Sequence, residues 1–141
     1  MTAAVLDASV VVKWFHAAGE RHVAQARALR KRFELGELDV VAPSLLPLEL
    51  VNVAGRRWSW EAAALDGLAI AFEQLGFALV DADLRVVARW TAAGLSACDA
   101  AYVAVAEERE LPLVTDDERI LAIAPAVAVP LASADGERPS R

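Results

Sequence analysis

Apolar residues run almost unbroken through "AAVLDASVVVKWF", residues 3–15, interrupted by Asp7 and, two positions on, by the small hydroxyl of Ser9. A short continuous apolar run reads as a strand covered on both faces, as in a parallel sheet, so residues 3–7 are predicted as strand and 9–15 as the helix or turn that follows. The period then changes. In "ERHVAQARALRKRFE", 20–34, Val23, Ala26, Leu29 and Phe33 recur near every 3.6 residues. That spacing predicts an amphipathic helix with Arg27, Arg30, Lys31 and Arg32 mostly on its wet side, stopped by Gly36. A short strand fits Leu38–Ala42, and Pro43 with Ser44 opens a helix reaching about Trp58. Ser59 is placed as the cap of a further helix, 60–75, that Gly76 ends. "FALVD", 77–81, is a third strand, Asp83 caps a helix to about Ala93, and Ser96 caps "SACDAAYVAVAEERE". Leu113–Val114 and Val127–Val129 complete the strands.

Strands alternating with helices imply βαβ units, a parallel sheet and a three-layer α/β/α sandwich. Ligands on such sheets bind beyond the carboxyl ends of the strands. The reading is of one domain over 1–132, without internal repeat or linker, and a polar tail, 133–141 ("SADGERPSR"), expected to be disordered.

Composition narrows the class. The hydrophobic fraction is 57%, largely Ala, Val and Leu, which suits helices packed on a parallel sheet. No apolar run reaches the roughly 18 residues that cross a bilayer, and the N-terminus lacks the basic start of a signal peptide. The single cysteine, Cys98, forms no internal disulfide, so a cytoplasmic location is expected. A net charge of −6 argues against a general nucleic-acid coat protein but not against a nuclease, whose acidic site and basic rim nearly cancel.

The acids carry the chemistry. Asp7 ends the first strand, and Asp116 and Asp117 follow "LPLVT". Asp99 lies in the first turn of a helix, and Glu49 stands among leucines at 46, 48 and 50. Each has an ordinary explanation: a helix cap for Asp7, Asp116 or Asp117, a helix-dipole partner for Asp99, a solvated position for Glu49. Together they read differently, because a parallel sheet gathers strand ends at one edge. Two unit charges 4 Å apart repel by about 4 kcal/mol at an effective dielectric near 20. Such a group needs bound protons or a cation. All-oxygen ligands suit Mg²⁺ or Mn²⁺, which clamp phosphates and generate hydroxide for attack on a phosphodiester.

The segments "VLDASVVVKWF", "PSLLPLELVNV", "VDADLRVV" and "GLSACDAAYVAVAEERELPLVTDDERI" follow in an order and spacing that resembles a PIN domain, and more closely the VapC-type toxins of bacterial toxin–antitoxin pairs. The resemblance implies an endoribonuclease using Mg²⁺ or Mn²⁺, with Asp7, Glu49, Asp99 and Asp117 as catalytic, metal-binding acids. It gives Ser9 and Thr115 as supporting hydroxyls, and the doubled acid leaves Asp116 or Asp117 open as the fourth ligand. It also implies a homodimer and a cognate antitoxin laid across the groove. The rival is a non-catalytic α/β binding module whose acids are helix caps. A phosphoacceptor domain needs a lysine after a late strand, and the only lysines are Lys13 and Lys31.

Other residues carry two readings each. Arg27, Arg30 and Lys31 form the densest basic patch and are candidate RNA contacts or a solvated face, and Lys13 is a candidate phosphate contact. Arg56 and Arg57 end a helix, where cations complement the dipole. Trp58 and Trp60 read as core or as a partner-binding patch, and so do Trp14 and Phe15. His16 and His22 are expected at the surface, and Cys98 within its helix.

Overall fold

In the computed structural model, which describes residues 2–134, the strands are β1 (Thr2–Leu6), β2 (Leu38–Pro43), β3 (Ala78–Val80), β4 (Leu113–Thr115) and β5 (Ala128–Pro130). They form one all-parallel sheet in the order β3-β2-β1-β4-β5. Between β1 and β3 run α1 (Ala8–Phe15), α2 (Val23–Glu34), α3 (Leu46–Arg56) and α4 (Ala62–Leu75). The chain then returns across the sheet through α5 (Leu84–Ala92) and α6 (Ala97–Arg109), with α7 (Glu118–Ile123) after β4. Right-handed crossovers running in opposite directions put these two groups of helices on opposite faces. The result is the three-layer sandwich expected from the sequence.

Its centre is β1 with α6. Ala4, Val5 and Leu6 are fully buried, and all seven residues from Ala100 to Ala106 are buried. A helix built of Ala, Val and one Tyr lies this deep because small side chains let it approach the sheet closely. The alanine-rich composition is used here. The sheet register pairs Leu6 with Val114, so the first residues past β1 and β4 emerge side by side.

Local differences from the sequence reading have physical reasons. Ser59 is not a cap: it sits at φ +57°, in the left-handed turn that ends α3, where Trp60 N–H donates to the Ala54 carbonyl at 3.0 Å. Glu61 takes the N-cap position of α4 instead. Asp83 and Ser96 do cap α5 and α6, accepting from the Arg85 and Asp99 amides at 2.9 and 3.1 Å. Arg32 is 8% exposed and lies in the core-facing part of α2, not on its wet side. Leu131–Ser133 forms a 3₁₀ turn and Ala134 is buried; the rest of the expected tail, 135–141, lies outside the described residues. Among the described residues no helix is long and apolar enough to cross a membrane.

Candidate active site

The strand order reverses between β1 and β4, the switch point where open α/β sheets bind their ligands. Asp7 leaves the end of β1 and occupies the N-cap position of α1. Its side chain nevertheless makes no capping hydrogen bond among the described residues. Both carboxylate oxygens are engaged elsewhere: Oδ1 accepts from Ser9 Oγ at 2.6 Å, and Oδ2 from Thr115 Oγ1 at 2.7 Å. Those hydroxyls are themselves oriented, since Asp116 N–H donates to Ser9 Oγ at 2.9 Å and Asp117 N–H to Thr115 Oγ1 at 3.0 Å. Two short relays from the backbone after β4 therefore hold one buried carboxylate on the end of β1.

The other acids arrive from helices. Glu49, in the first turn of α3, accepts from Tyr102 Oη at 2.5 Å. Asp99 stands in the first turn of α6, one turn before Tyr102 on the same helix. Asp117 is a true cap, its Oδ1 accepting from the Arg119 and Ile120 amides of α7, both at 2.9 Å. Asp7, Glu49, Asp99 and Asp117 all line one cleft of about 200 Å³. The cap explanation thus holds for Asp117, which also faces the cleft, and fails for Asp7.

The cleft does not contain a ready-made ion cage. Among the described residues, no group of three or more His, Cys, Asp or Glu side chains stands close enough to hold a metal. Three of the acids are tied to separate donors: Asp7 to two hydroxyls, Glu49 to a phenol, Asp117 to helix amides. Their electrostatics still register one another. Burial pushes the Asp7 carboxyl up to about 7; the Ser9 and Thr115 hydroxyls oppose this and the Asp117 and Asp99 charges add to it. Asp99 is raised by burial and then by Asp117, against Ser96 and the Arg119 charge. Glu49 is raised by burial and by Asp99, with the Tyr102 hydrogen bond opposing. Tyr102 is held far above the usual phenol range by burial and by Glu49, so it remains a donor.

This donor set is all oxygen. Mg²⁺ binds through one or two carboxylates and keeps several waters, so it fits a cleft in which no three acids converge.

The doubled acid separates cleanly. Asp117 lines the cleft, whereas Asp116 turns away, 3.3 Å from Lys13 Nζ and 2.9 Å from His22 Nδ1. Lys13, a candidate phosphate contact, is instead buried and also bonded to Glu20 at 2.9 Å. It belongs to the packing of α1. Arg27, Arg30 and Lys31 line a separate groove along α2, with Arg30 held by Glu34 and the Trp14 carbonyl. None of the three lines the acid cleft. His22 is a partner of Asp116, and His16 packs on Trp58 with ring centres 4.5 Å apart.

Two cleft residues escaped the sequence reading, Tyr102 in whole and Arg57 in its position. Tyr102 left a signal: the chain's only tyrosine sits in an apolar helix, and a buried phenol needs an acceptor.

Comparison with known proteins agrees with this architecture. Residues 4–125 match the family model of the PIN domain. The fold is similar to the crystal structure of PAE2754 from Pyrobaculum aerophilum, with a TM-score of 0.59 and 23% sequence identity over 92% of each chain. No curated protein matches the sequence.

Proposed function

The chain belongs to the PIN-domain family, a nuclease fold, and from that premise we propose that it is a Mg²⁺- or Mn²⁺-dependent endoribonuclease, the toxin of a cytoplasmic toxin–antitoxin pair. The observation that carries the catalytic reading is the treatment of Asp7: a buried carboxylate at a helix start that declines to cap and is presented by two hydroxyls in a cleft with three further acids. A carboxylate used only for structure at this position would have capped the helix it begins.

Asp7, Asp99, Asp117 and Glu49 are the cleft acids, one or two of which would hold the ion directly. Bound there, Mg²⁺ or Mn²⁺ supplies Lewis acidity toward a phosphodiester and lowers the pKa of water in its shell. The chain's own part is positional. Ser9 and Thr115 fix the orientation of the Asp7 carboxylate. Tyr102 holds Glu49 through one oxygen, Oε1. Asp117 uses Oδ1 for α7, which fixes its rotamer.

The toxin assignment rests on the similarity of the four motif segments to VapC-type toxins. A homodimer and an antitoxin partner are supported by apolar side chains left in water on the α3–α4 pair, Leu48 at 72% and Ile70 at 49% exposure. The test is cleavage of RNA in Mn²⁺, with EDTA and Asp99→Asn as controls. Activity is expected only for wild type with metal, and full activity in either control would overturn the proposal. Light scattering and co-purification with the product of an adjacent small gene test the partners.

A further inference from the structure

The acid cleft is also a groove between α1 and α3. On α3, Glu49, Val53 and Arg57 recur every four residues and share one face, and all three line the cleft. On α1, Ala8 and Val12 line it from the other side with the same spacing, and His16, in extended backbone at the C-cap of α1, follows them. The two rows face each other and run away from the acids. At 1.5 Å per helical residue, the eight steps from Glu49 to Arg57 span about 12 Å.

Past the Arg57 end of this groove stands an aromatic cluster. His16 and Trp58, the residues that follow the two rows, pack with centroids 4.5 Å apart and ring planes tilted by 49°. The left-handed turn at Ser59 folds the chain back so that Trp60 joins them, 5.1 Å from Trp58 and 5.9 Å from His16. All three rings are only partly buried. Among the described residues lining the cleft, Arg57 is the one cation. Its side chain is 65% exposed, and its link to Glu20 is long, at 3.6 Å. Glu20 keeps Lys13 as a nearer partner at 2.9 Å, so Arg57 exchanges partners without leaving that carboxylate unpaired.

An exchangeable guanidinium followed directly by aromatic rings matches the repeating unit of a single nucleic-acid strand, an anionic phosphate with a flat base beside it. We propose that the α1–α3 groove is a nucleotide subsite flanking the cleavage site, in which Arg57 takes a phosphate and the His16–Trp58–Trp60 cluster receives a base by stacking. The inference rests on the nuclease reading and adds the residues that grip the strand beside the cleavage site. Base-paired RNA, with its bases stacked inward, offers no face to these rings.

The test is binding of a short single-stranded oligoribonucleotide of mixed sequence in Ca²⁺, followed by quenching of indole fluorescence. Wild type is expected to be quenched on binding. Trp58→Ala is expected to weaken binding about tenfold with an unchanged salt dependence, because stacking carries no charge, and Trp58→Phe to restore most of it. Arg57→Gln is expected to reduce the slope of log affinity against log salt by about 0.7, the share of one phosphate on a single strand. If Trp58→Ala fails to fold by circular dichroism, the slope for Arg57→Gln, a change on an exposed side chain, decides the question. The proposal is overturned if wild type does not bind or if both variants bind as wild type does. It is also overturned if Trp58→Ala changes only self-association or capture of a protein partner. The nuclease reading fails separately: a protein that binds as described but leaves RNA intact in Mn²⁺ keeps the subsite and loses the activity.

Discussion

Asp7 and Lys13 are both buried charges, 4% and 5% exposed, at the start and toward the end of α1. Lys13 is surrounded by opposite charge, with Glu20 and Asp116 in direct contact and His22 completing the set. Asp7 has no cation among its described contacts, only two hydroxyls, and its nearest charged influences are the like charges of Asp117 and Asp99. The first arrangement compensates burial internally. The second leaves a deficit that a proton or an added cation fills. The contrast separates a buried charge that holds the fold from one held in readiness.

The sharpest way to break this comparison is through activity. Asp99→Asn keeps shape and removes one charge from the cleft, and RNA cleavage is expected to fall to background while far-UV circular dichroism stays unchanged. Lys13→Met should do the reverse. It leaves Asp116 and Glu20 short of a partner, and losing one member of a buried pair costs about 3–5 kcal/mol, read as a shift in the urea midpoint. If Lys13→Met abolishes cleavage at full stability, the division of roles is wrong.

A third prediction concerns pH. Asp7 titrates near 7 in the folded chain and near 3.8 when unfolded, so between these values the native state holds a proton that the unfolded state has released. The Asp7 contribution to metal-free stability should therefore be complete below about pH 4, decline as pH rises to about 7, and level off above, by at most about 1.4 kcal/mol per pH unit. Asp7→Asn should flatten that window. Urea titrations across the window would show it, and an unchanged pH dependence in the variant would remove Asp7 as its source.

The smallest effect sharpens the comparison from the ligand side. An ion that binds only the native state stabilises by about 2.7 kcal/mol at a hundredfold excess over Kd. Wild type should gain melting temperature with Mn²⁺ more at pH 8 than at pH 5.5, where Asp7 carries its proton, and Asp7→Asn should gain less at both. Lys13→Met, destabilised as it is, should keep the wild-type increment.

That acids would gather at one edge was legible because a parallel sheet delivers every strand end there, but the strand end alone left Asp116 and Asp117 undivided. Capping residues such as Asp83 and Ser96 were legible because their bonds are local. The ion cluster around Lys13 was not: its members lie far apart in the chain, at 13, 20, 22 and 116, and helix periodicity says nothing of charges that meet across elements. Arg57 was read as a helix-end cation because its place in the groove depends on how α1 and α3 pack, which no local pattern encodes. Ser59 misled because a serine before a helix reads as a cap, while here the left-handed turn closing the preceding helix claims it.

The burial of α6 has a consequence for motion. Its seven consecutive buried residues leave few routes for partial opening, so its amides should exchange with solvent near the rate of whole-molecule unfolding. On α4, by contrast, only Leu68 and Phe72 are buried, and its amides should exchange through local fluctuations. The cleft takes Asp99 and Tyr102 from the stiff α6, while α4 contributes no residue to its lining. Whatever enters is met by a wall that keeps its position.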